Sequence, residues 1–333
     1  MESLASRLTA SRSLVARSAT LDESVEAVVC VPTFRRPRHL QKTLESLLSL
    51  RTTRRFAVVI VENDAASREG AAVATQFLGR DDLQGICIVE PRQGNCCAIN
   101  AAFETGLAIF PSASYFLMID DDEVASPDWL QFMVETAETT GAEVVGGPVW
   151  PVFSDASKRD LERHPAFCPG YDVSGPVPII YGSGNCLITR PVFSRLEGPA
   201  FDLRFNFLGG GDLDFFTRCR RAGMRFHWVA EAMIHETVPE TRTDPRWLAM
   251  RGLRIGAINY HVQRKVALTL WSRLRLFAKV LALLPLSLFR AGRLALVERK
   301  ALIAVHPMVV AIGGALAVIG IEPHQYKASK ATS

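Results

Sequence analysis

Asp120, Asp121, Asp122 and Glu123 stand in a row directly after Tyr115 to Ile119, a stretch whose apolar and aromatic residues read as a buried strand. Burying one unpaired carboxylate costs several kcal/mol, so a run of acids lies at a surface or holds something positive. Hard oxygen ligands in this number suit Mg²⁺ or Mn²⁺, which take one or two carboxylates and share the remaining positions with water and phosphate oxygens. The plain alternative is a solvated loop that caps the next helix. Ser126 or Asp128 beside Pro127 already serves that purpose, which leaves the aspartates for an ion that bridges a diphosphate, with Glu123 read as merely solvated. Further along, Gly209, Gly210 and Gly211 precede Asp212 and a short amphipathic helix.

The elements needed to position these groups follow from hydrophobic patterning. "AVVCVPT" (27 to 33), "RFAVVIVEND" (55 to 64), "GICIVEP" (85 to 91) and "YFLMID" (115 to 120) read as buried strands. Between them lie helices over 36 to 50, up to Phe77, and from Asn95 to Ile109, and Pro127 is expected in the first turn of the next one. Apolar strands joined by helical crossovers predict an α/β fold with a mainly parallel sheet, whose ligands bind beyond the carboxyl ends of the strands. Pro32-Thr33, Glu62-Asn63-Asp64 and the aspartate run all fall at such ends. Beyond Trp150 the rhythm loosens, with "YGSGNCLITR" (181 to 190) as a turn and strand.

The motifs "VPTFRR", "VENDA", "GNCCAINAA", "IDDDE" and "GGGDLDFFTRCRRAG", in this order, resemble the family 2 glycosyltransferases of the GT-A fold, in particular bacterial enzymes that build exopolysaccharide repeat units on a lipid carrier. The likeness covers about residues 27 to 240 and implies a Rossmann-like sheet with flanking helices. By this resemblance Pro32, Thr33 and Asp64 hold the base and ribose of a nucleoside diphosphate sugar, expected to be a UDP-sugar, and Arg35 and Asn100 join that set. Asp120 and Asp121 contact ribose, sugar or metal waters, Asp122 coordinates Mn²⁺ or Mg²⁺, and His235 could return to the metal or the diphosphate. Asp212 is the general base that takes a proton from the acceptor hydroxyl, with Asn185 and Asp214 on the acceptor side. Direct displacement inverts the anomeric centre, and the absence of a Gln-x-x-Arg-Trp motif implies addition of a single sugar.

Two positions depart from the family pattern: Ile99 stands where an Arg commonly precedes Asn100, with Arg92 as a candidate substitute, and Gly211 stands where a Glu commonly precedes the base. They keep open a catalytically silent nucleotide-sugar-binding membrane scaffold, against which the retained Asp212 argues. A nucleotidyltransferase would be expected to carry a Gly-rich phosphate loop after the first strand, and "PTFRRPRH" is not one.

The remaining sequence sets the context. Hydrophobic residues make up 48% of the 333, enough for a core, and the net charge of +4 is unevenly spread. Nothing reads as a nucleic-acid-binding signature. Seven cysteines without a CxxC pair fit reduced thiols in a cytosol-facing protein. Residues 1 to 26 have no apolar signal core and are expected to form a flexible tail. From 241 onward a basic and apolar helical region is expected. Eleven Lys or Arg residues against Glu298 alone lie between Arg251 and Lys300, around "LFAKVLALLPLSLF" (276 to 289) and ahead of "ALIAVHPMVVAIGGALAVIGI" (301 to 321). The first apolar run is too short to span a bilayer of about 30 Å, and the second approaches the required length of about 20 residues. Such flanks suggest the cytoplasmic face of the inner membrane, anchored or peripheral, and the family resemblance implies a lipid-linked saccharide as acceptor. The alternative is a helical subdomain packed on the core or on a second copy in a homo-oligomer.

Overall fold

The computed structural model describes residues 7–9, 11–80, 83–298 and 300–321. The chain divides into two compact units. The first takes the residues up to Trp150, Gly170–Asn206 and Gly211–Glu236, and the second takes Pro151–Pro169, Phe207–Gly210 and everything from Thr237. The expected boundary near 240 thus gains two earlier segments on its C-terminal side. Pattern reading along the chain misses them because they join the second unit through contacts distant in sequence. Leu161 and Phe167 share an apolar cluster with Val238 and Leu248.

The first unit opens with β1 (Ser13–Arg17), β2 (Ala27–Thr33), α1 (Pro37–Leu48), β3 (Phe56–Glu62), α2 (Glu69–Leu78), β4 (Gly85–Val89) and α3 (Asn95–Ile109). It continues with β5 (Tyr115–Met118), β6 (Glu123–Ala125), α4 (Trp129–Thr140), β7 (Val144–Gly146) and β8 (Val149–Phe153), which runs into the second unit. Then come β9 (Gly175–Val177), β10 (Cys186–Thr189), α5 (Arg190–Arg195), α6 (Gly211–Arg221), β11 (Phe226–Trp228) and β12 (Ile234–Val238), which also crosses the boundary. Among the described residues nine strands form one sheet in the order β1-β4-β3-β2-β5-β10-β7-β11-β9, and β6, β12 and β8 form a second.

The four strands read from the sequence make the parallel centre, with β2 paired to β3 on one side and β5 on the other, and β3 to β4. All seven residues of β2 and all five of β4 are buried, as strands covered on both faces require. The chain moves outward from β2 to β3 and β4, then returns to add β5 on the other side. The gap between β2 and β5 is therefore a topological switch point, where open α/β sheets take their ligands. The short β10 then lies antiparallel between β5 and β7, with Cys186 opposite Met118 and Gly146.

The flexible tail expected over 1 to 26 is corrected in part. Ser13–Arg17 forms the edge strand β1, antiparallel to β4. Its anchor is Arg12, whose Nε donates to Glu90 at 2.9 Å and whose Nη2 reaches Glu104 at 2.7 Å, with both Arg12 and Glu90 buried. Glu90 is also held by Arg92, and these partners keep its carboxyl below the usual range despite burial. The helix after the aspartates starts at Trp129 with Asp128 at the N-cap, so Pro127 precedes the helix instead of opening it.

The second unit holds α7 (Pro245–Val266), α8 (Leu270–Glu298) and α9 (Ala301–Val318). Asp244 caps α7 by accepting from the N–H groups of Arg246 and Trp247, with Pro245 in the first turn. α7 and α9 meet backbone to backbone. A Cβ on Gly256 would lie 2.0 Å from the Val310 carbonyl oxygen, and one on Gly313 2.0 Å from that of Leu253, so only glycine permits the approach. α8 continues through Pro285 for 29 residues, longer than the apolar run by which it was recognised.

Arg12→Ala should cost about 2–4 kcal/mol, because it leaves Glu90 buried with one partner fewer. Urea denaturation reads this as a lower midpoint. Adding Glu90→Gln should cost less than the sum of the two single changes, as expected for groups in one network.

Candidate active site

The aspartates lie on the β5 side of the switch point, and the β2 side reaches across to them. Thr33 Oγ1 donates to Asp121 Oδ2 at 2.8 Å and the Phe34 N–H donates to the same oxygen at 3.2 Å. Arg36 completes the bridge, its Nη1 standing 3.1 Å from Asp121 Oδ1 and 2.8 Å from Asp122 Oδ2. Asp121 and Asp122 are both buried. Burial raises the pKa of Asp121, although Arg36 and the Thr33 hydroxyl oppose it. The half-buried Asp120 is raised further by burial and by the charges of Asp122 and Asp121.

Glu123 corrects the expectation of a solvated acid. It is 3% exposed, sits on β6, and accepts the Asp120 N–H at 2.7 Å. Burial and then Asp120 and Glu236 push its carboxyl well above the usual range. Glu236 was missed, for a reason of register: β12 pairs Glu236 with Glu123 and His235 with Val124. Successive side chains of a strand face opposite ways. Glu236 therefore joins the acids, while His235 is exposed on the other face and its expected metal role is not supported by its position.

At the end of β3, Asp64 is buried and bound to Arg35, whose Nε lies 2.6 Å from Oδ2. The Ala66 and Ser67 N–H groups also donate to Asp64, and together these partners hold its carboxyl below the usual range against the cost of burial. Arg35 adopts φ 56° and lays its guanidinium over the Phe34 ring at 4.9 Å. Pro32 is buried at the end of β2. Pro32, Thr33, Arg35 and Asp64 are thus gathered on one edge with Asp120, Asp121 and Asp122.

Asp212 lies in the first turn of α6. The buried Cys186 thiol is pushed well above its ordinary pKa by burial first, and then by Asp212, Asp120, Cys30 and Glu123. The base candidate and the β5 acids thus both add to the negative field at one buried thiol. Cys96 on α3 is pushed up to about 12, by burial first and then by Asp212. Gly211 now has a steric reason. A Cβ there would lie 2.8 Å from Cys96 Sγ and 2.8 Å from the Phe201 ring, so a glutamate would not fit without movement.

Three other expected site residues have structural tasks. Asn100 exchanges both amide ends with the backbone of Phe201, donating to its carbonyl at 2.7 Å and accepting from its N–H at 2.8 Å. Asn185 accepts from Trp129 Nε1 and donates to the carbonyls of Pro148 and Ala232. Asp214 is buried against Arg218 one helical turn away, at 2.9 Å, and Arg218 in turn holds the Ala200 carbonyl. Asn100 and Asp214 therefore brace the segment leading to Asp212. Arg92 is engaged by Glu90, and Ile99 is fully buried, where an arginine would bring an unpaired charge into the core.

Among the described residues no group of three or more His, Cys, Asp or Glu side chains is placed to hold a metal ion by itself. The donor set nonetheless fits an open divalent site. Asp120 and Asp122 supply hard oxygens in a crowd of like charges that a cation would relieve, and octahedral Mg²⁺ or Mn²⁺ completes its shell from phosphate and water.

Residues 28–196 match the model of the family described as "Glycosyl transferase family 2". The chain belongs to glycosyl transferase family 2. This family 2 glycosyltransferase is 34% identical to "Succinoglycan biosynthesis protein ExoM" of Rhizobium meliloti, over 71% of the chain and 74% of the relative. It is 30% identical to "Glucosyl-dolichyl phosphate glucuronosyltransferase" of Haloferax volcanii, over 70% and 75%. Two solved structures share its fold. The mannosyltransferase PcManGT of Pyrobaculum calidifontis, in complex with GDP-Man and Mn²⁺, superposes with a TM-score of 0.56 at 18% identity, covering 90% of each chain. S. aureus TarS 1-349 in complex with UDP gives 0.51 at 12%, covering 89% of this chain and 92% of that one. The expected GT-A-like α/β fold and transferase class stand.

The raised carboxyls carry a sign. The folded state holds a proton that the unfolded chain releases near pH 4, so this contribution to stability is present below that pH and is lost as pH rises through the raised folded value. In chelator, the thermal midpoint of the wild type should therefore fall more between pH 5 and 8 than that of Asp120→Asn. Parallel curves would show that Asp120 is ionised throughout.

Proposed function

We propose that this family 2 glycosyltransferase moves a single sugar, with inversion, from a nucleoside diphosphate sugar to a hydroxyl of a lipid-linked saccharide in polysaccharide or glycolipid synthesis. The observation that carries the reading is the buried acid cluster at the switch point, where Thr33 from the β2 end donates to Asp121 and Arg36 pairs with Asp121 and Asp122. In this reading Asp212, in the first turn of α6, is the carboxylate suited to proton transfer, and the β5 acids are those suited to a cation.

Thr33, Arg35 and Asp64 bind and orient the base and ribose at the β2 and β3 ends. Asp122 and Asp120 hold Mn²⁺ or Mg²⁺, which when bound neutralises charge that grows on the departing diphosphate. Arg36 already shares Asp121 and Asp122, and adds a fixed positive charge beside the same oxygens. Asp212 accepts the proton of the acceptor hydroxyl as its oxygen attacks the anomeric carbon from the face opposite the leaving diphosphate. Attack from that face inverts the centre. The sugar chemistry of the donor is a UDP-sugar in this reading, supported by the UDP held by TarS, while the GDP-Man of PcManGT makes a GDP-sugar the direct competitor.

The lipid-linked acceptor is supported by the dolichyl phosphate in the name of one relative, and by the C-terminal helices. α8 and α9 are both long and apolar enough to cross a membrane. α8 exposes large apolar groups, with Trp271 at 68%, Phe289 at 72% and Leu296 at 82%, interspersed with Arg273, Arg275, Arg290 and Arg293. This mixture of apolar and basic groups suits an anionic cytoplasmic leaflet.

A panel of UDP-, GDP- and dTDP-sugars with Mn²⁺ tests the chemistry. Asp212→Asn should lower turnover about 10²–10⁴-fold while donor binding is kept, and Asp122→Ala or chelator should remove activity. Normal turnover by Asp212→Asn would show that another group is the base, and indifference to chelator would remove the metal. In the same preparations, Trp271→Glu with Phe289→Glu should shift the protein from anionic vesicles to the supernatant.

A further inference from the structure

Within the second unit, α7, α8 and α9 enclose a half-open cavity of about 410 Å³. Its size falls in the range of small-molecule pockets, about 300–1,000 Å³. Its middle is apolar, with Ile255 from α7, Leu283 from α8 and Val310 from α9. Its ends are polar and cationic. Lys279 stands at one end, donating to the Gln263 side chain at 2.6 Å, with Asn259 and Tyr260 beside it on the cavity wall. Arg290 stands at the other end, eleven residues along α8, about 16 Å at 1.5 Å per residue. Among the described residues no acid lines the cavity, and neither cation has a carboxylate partner.

Close packing of α7 against α9 at Gly256 and Gly313 forms one wall, so the cavity is not a gap that those helices could close. The polarity decides the occupant. A free anion would gain nothing from the Ile255, Leu283 and Val310 floor, and a plain hydrocarbon would make no use of the Lys279 charge at its end. An amphiphile with a phosphate on one end of a long chain satisfies both.

We propose that this groove binds a lipid phosphate, its chain along Ile255, Leu283 and Val310 and its phosphate on Lys279 with Asn259 and Tyr260. The assignment rests on the reading that the acceptor is lipid-linked, and names the part of the chain that holds the carrier. Arg290 marks the far end, where the chain leaves the groove.

The test uses the full chain in a neutral sugar-headgroup detergent and follows binding of farnesyl phosphate by calorimetry, with farnesol and inorganic phosphate as separate probes. Farnesyl phosphate should bind at least about tenfold more tightly than either, Lys279→Ala should weaken it about tenfold, and Arg290→Ala should change it less than threefold. Leu283→Trp, which fills the floor, should abolish binding. Lys279 is exposed, so its variant reports binding even if Leu283→Trp lowers the melting temperature. Equal binding of farnesol would remove the phosphate site, and equal binding of inorganic phosphate would make it a free-anion site. Wild-type affinity in both Lys279→Ala and Leu283→Trp, or a loss confined to Arg290→Ala, would overturn the assignment. Slow donor hydrolysis by the wild type is measured beside it, and its absence would count against the proposed glycosyl transfer and leave the groove untouched.

Discussion

Mutual repulsion among acids at the switch point is the constraint around which the first unit is arranged. Asp120, Asp121, Asp122, Glu123 and Glu236 converge where β2 and β5 part, and burial pushes three of them toward their protonated forms. Such a cluster is a poor way to stabilise a fold. Its cost is offset in part by Thr33, the Phe34 N–H and Arg36, all from the β2 end. The residues that contain the repulsion are thus the ones that line the edge where the proposed function places a nucleotide. In the proposed reading a divalent cation and a diphosphate complete the charge matching that these partners begin.

The surrounding framework holds this arrangement rigid by using polar groups internally. Asn100 and Asp214 brace the segment before α6, and Asn185 ties β10 to Trp129 and two carbonyls. Gly211 lets that segment pass against Cys96 and Phe201. The family departures thereby acquire a packing basis: Ile99 fills core volume and Gly211 permits a close approach. Both leave Asp212 in the first turn of α6.

What could be read from sequence was what depends on local pattern. The strand Ala27–Thr33 and the helix Asn95–Ile109 are observed at those bounds, because fully apolar runs and helical spacing are local signals. The polar residues at the strand ends likewise declared the edge that carries the site. What depends on register or on distant partners was hidden. His235 and Glu236 are adjacent, and only the pairing of β12 with β6 reveals which one faces Glu123. "SLVAR" looks like a tail until Arg12 finds Glu90 on the far side of the strand pair. Asn100 and Asn185 carry side chains as fit for a ligand as for a backbone, and only their geometry shows that their hydrogen bonds are already made. α8 outlasts its apolar run because helix length follows packing as well as composition.

The central claim is that the clustered acids exist to hold a cation together with a diphosphate. Counting bound Mn²⁺ by electron paramagnetic resonance, with and without UDP, tests it most directly. The account predicts one tightly bound Mn²⁺ per chain that requires UDP and is lost in Asp122→Ala. Mn²⁺ binding that ignores both UDP and Asp122, or no binding with any nucleoside diphosphate, would contradict it.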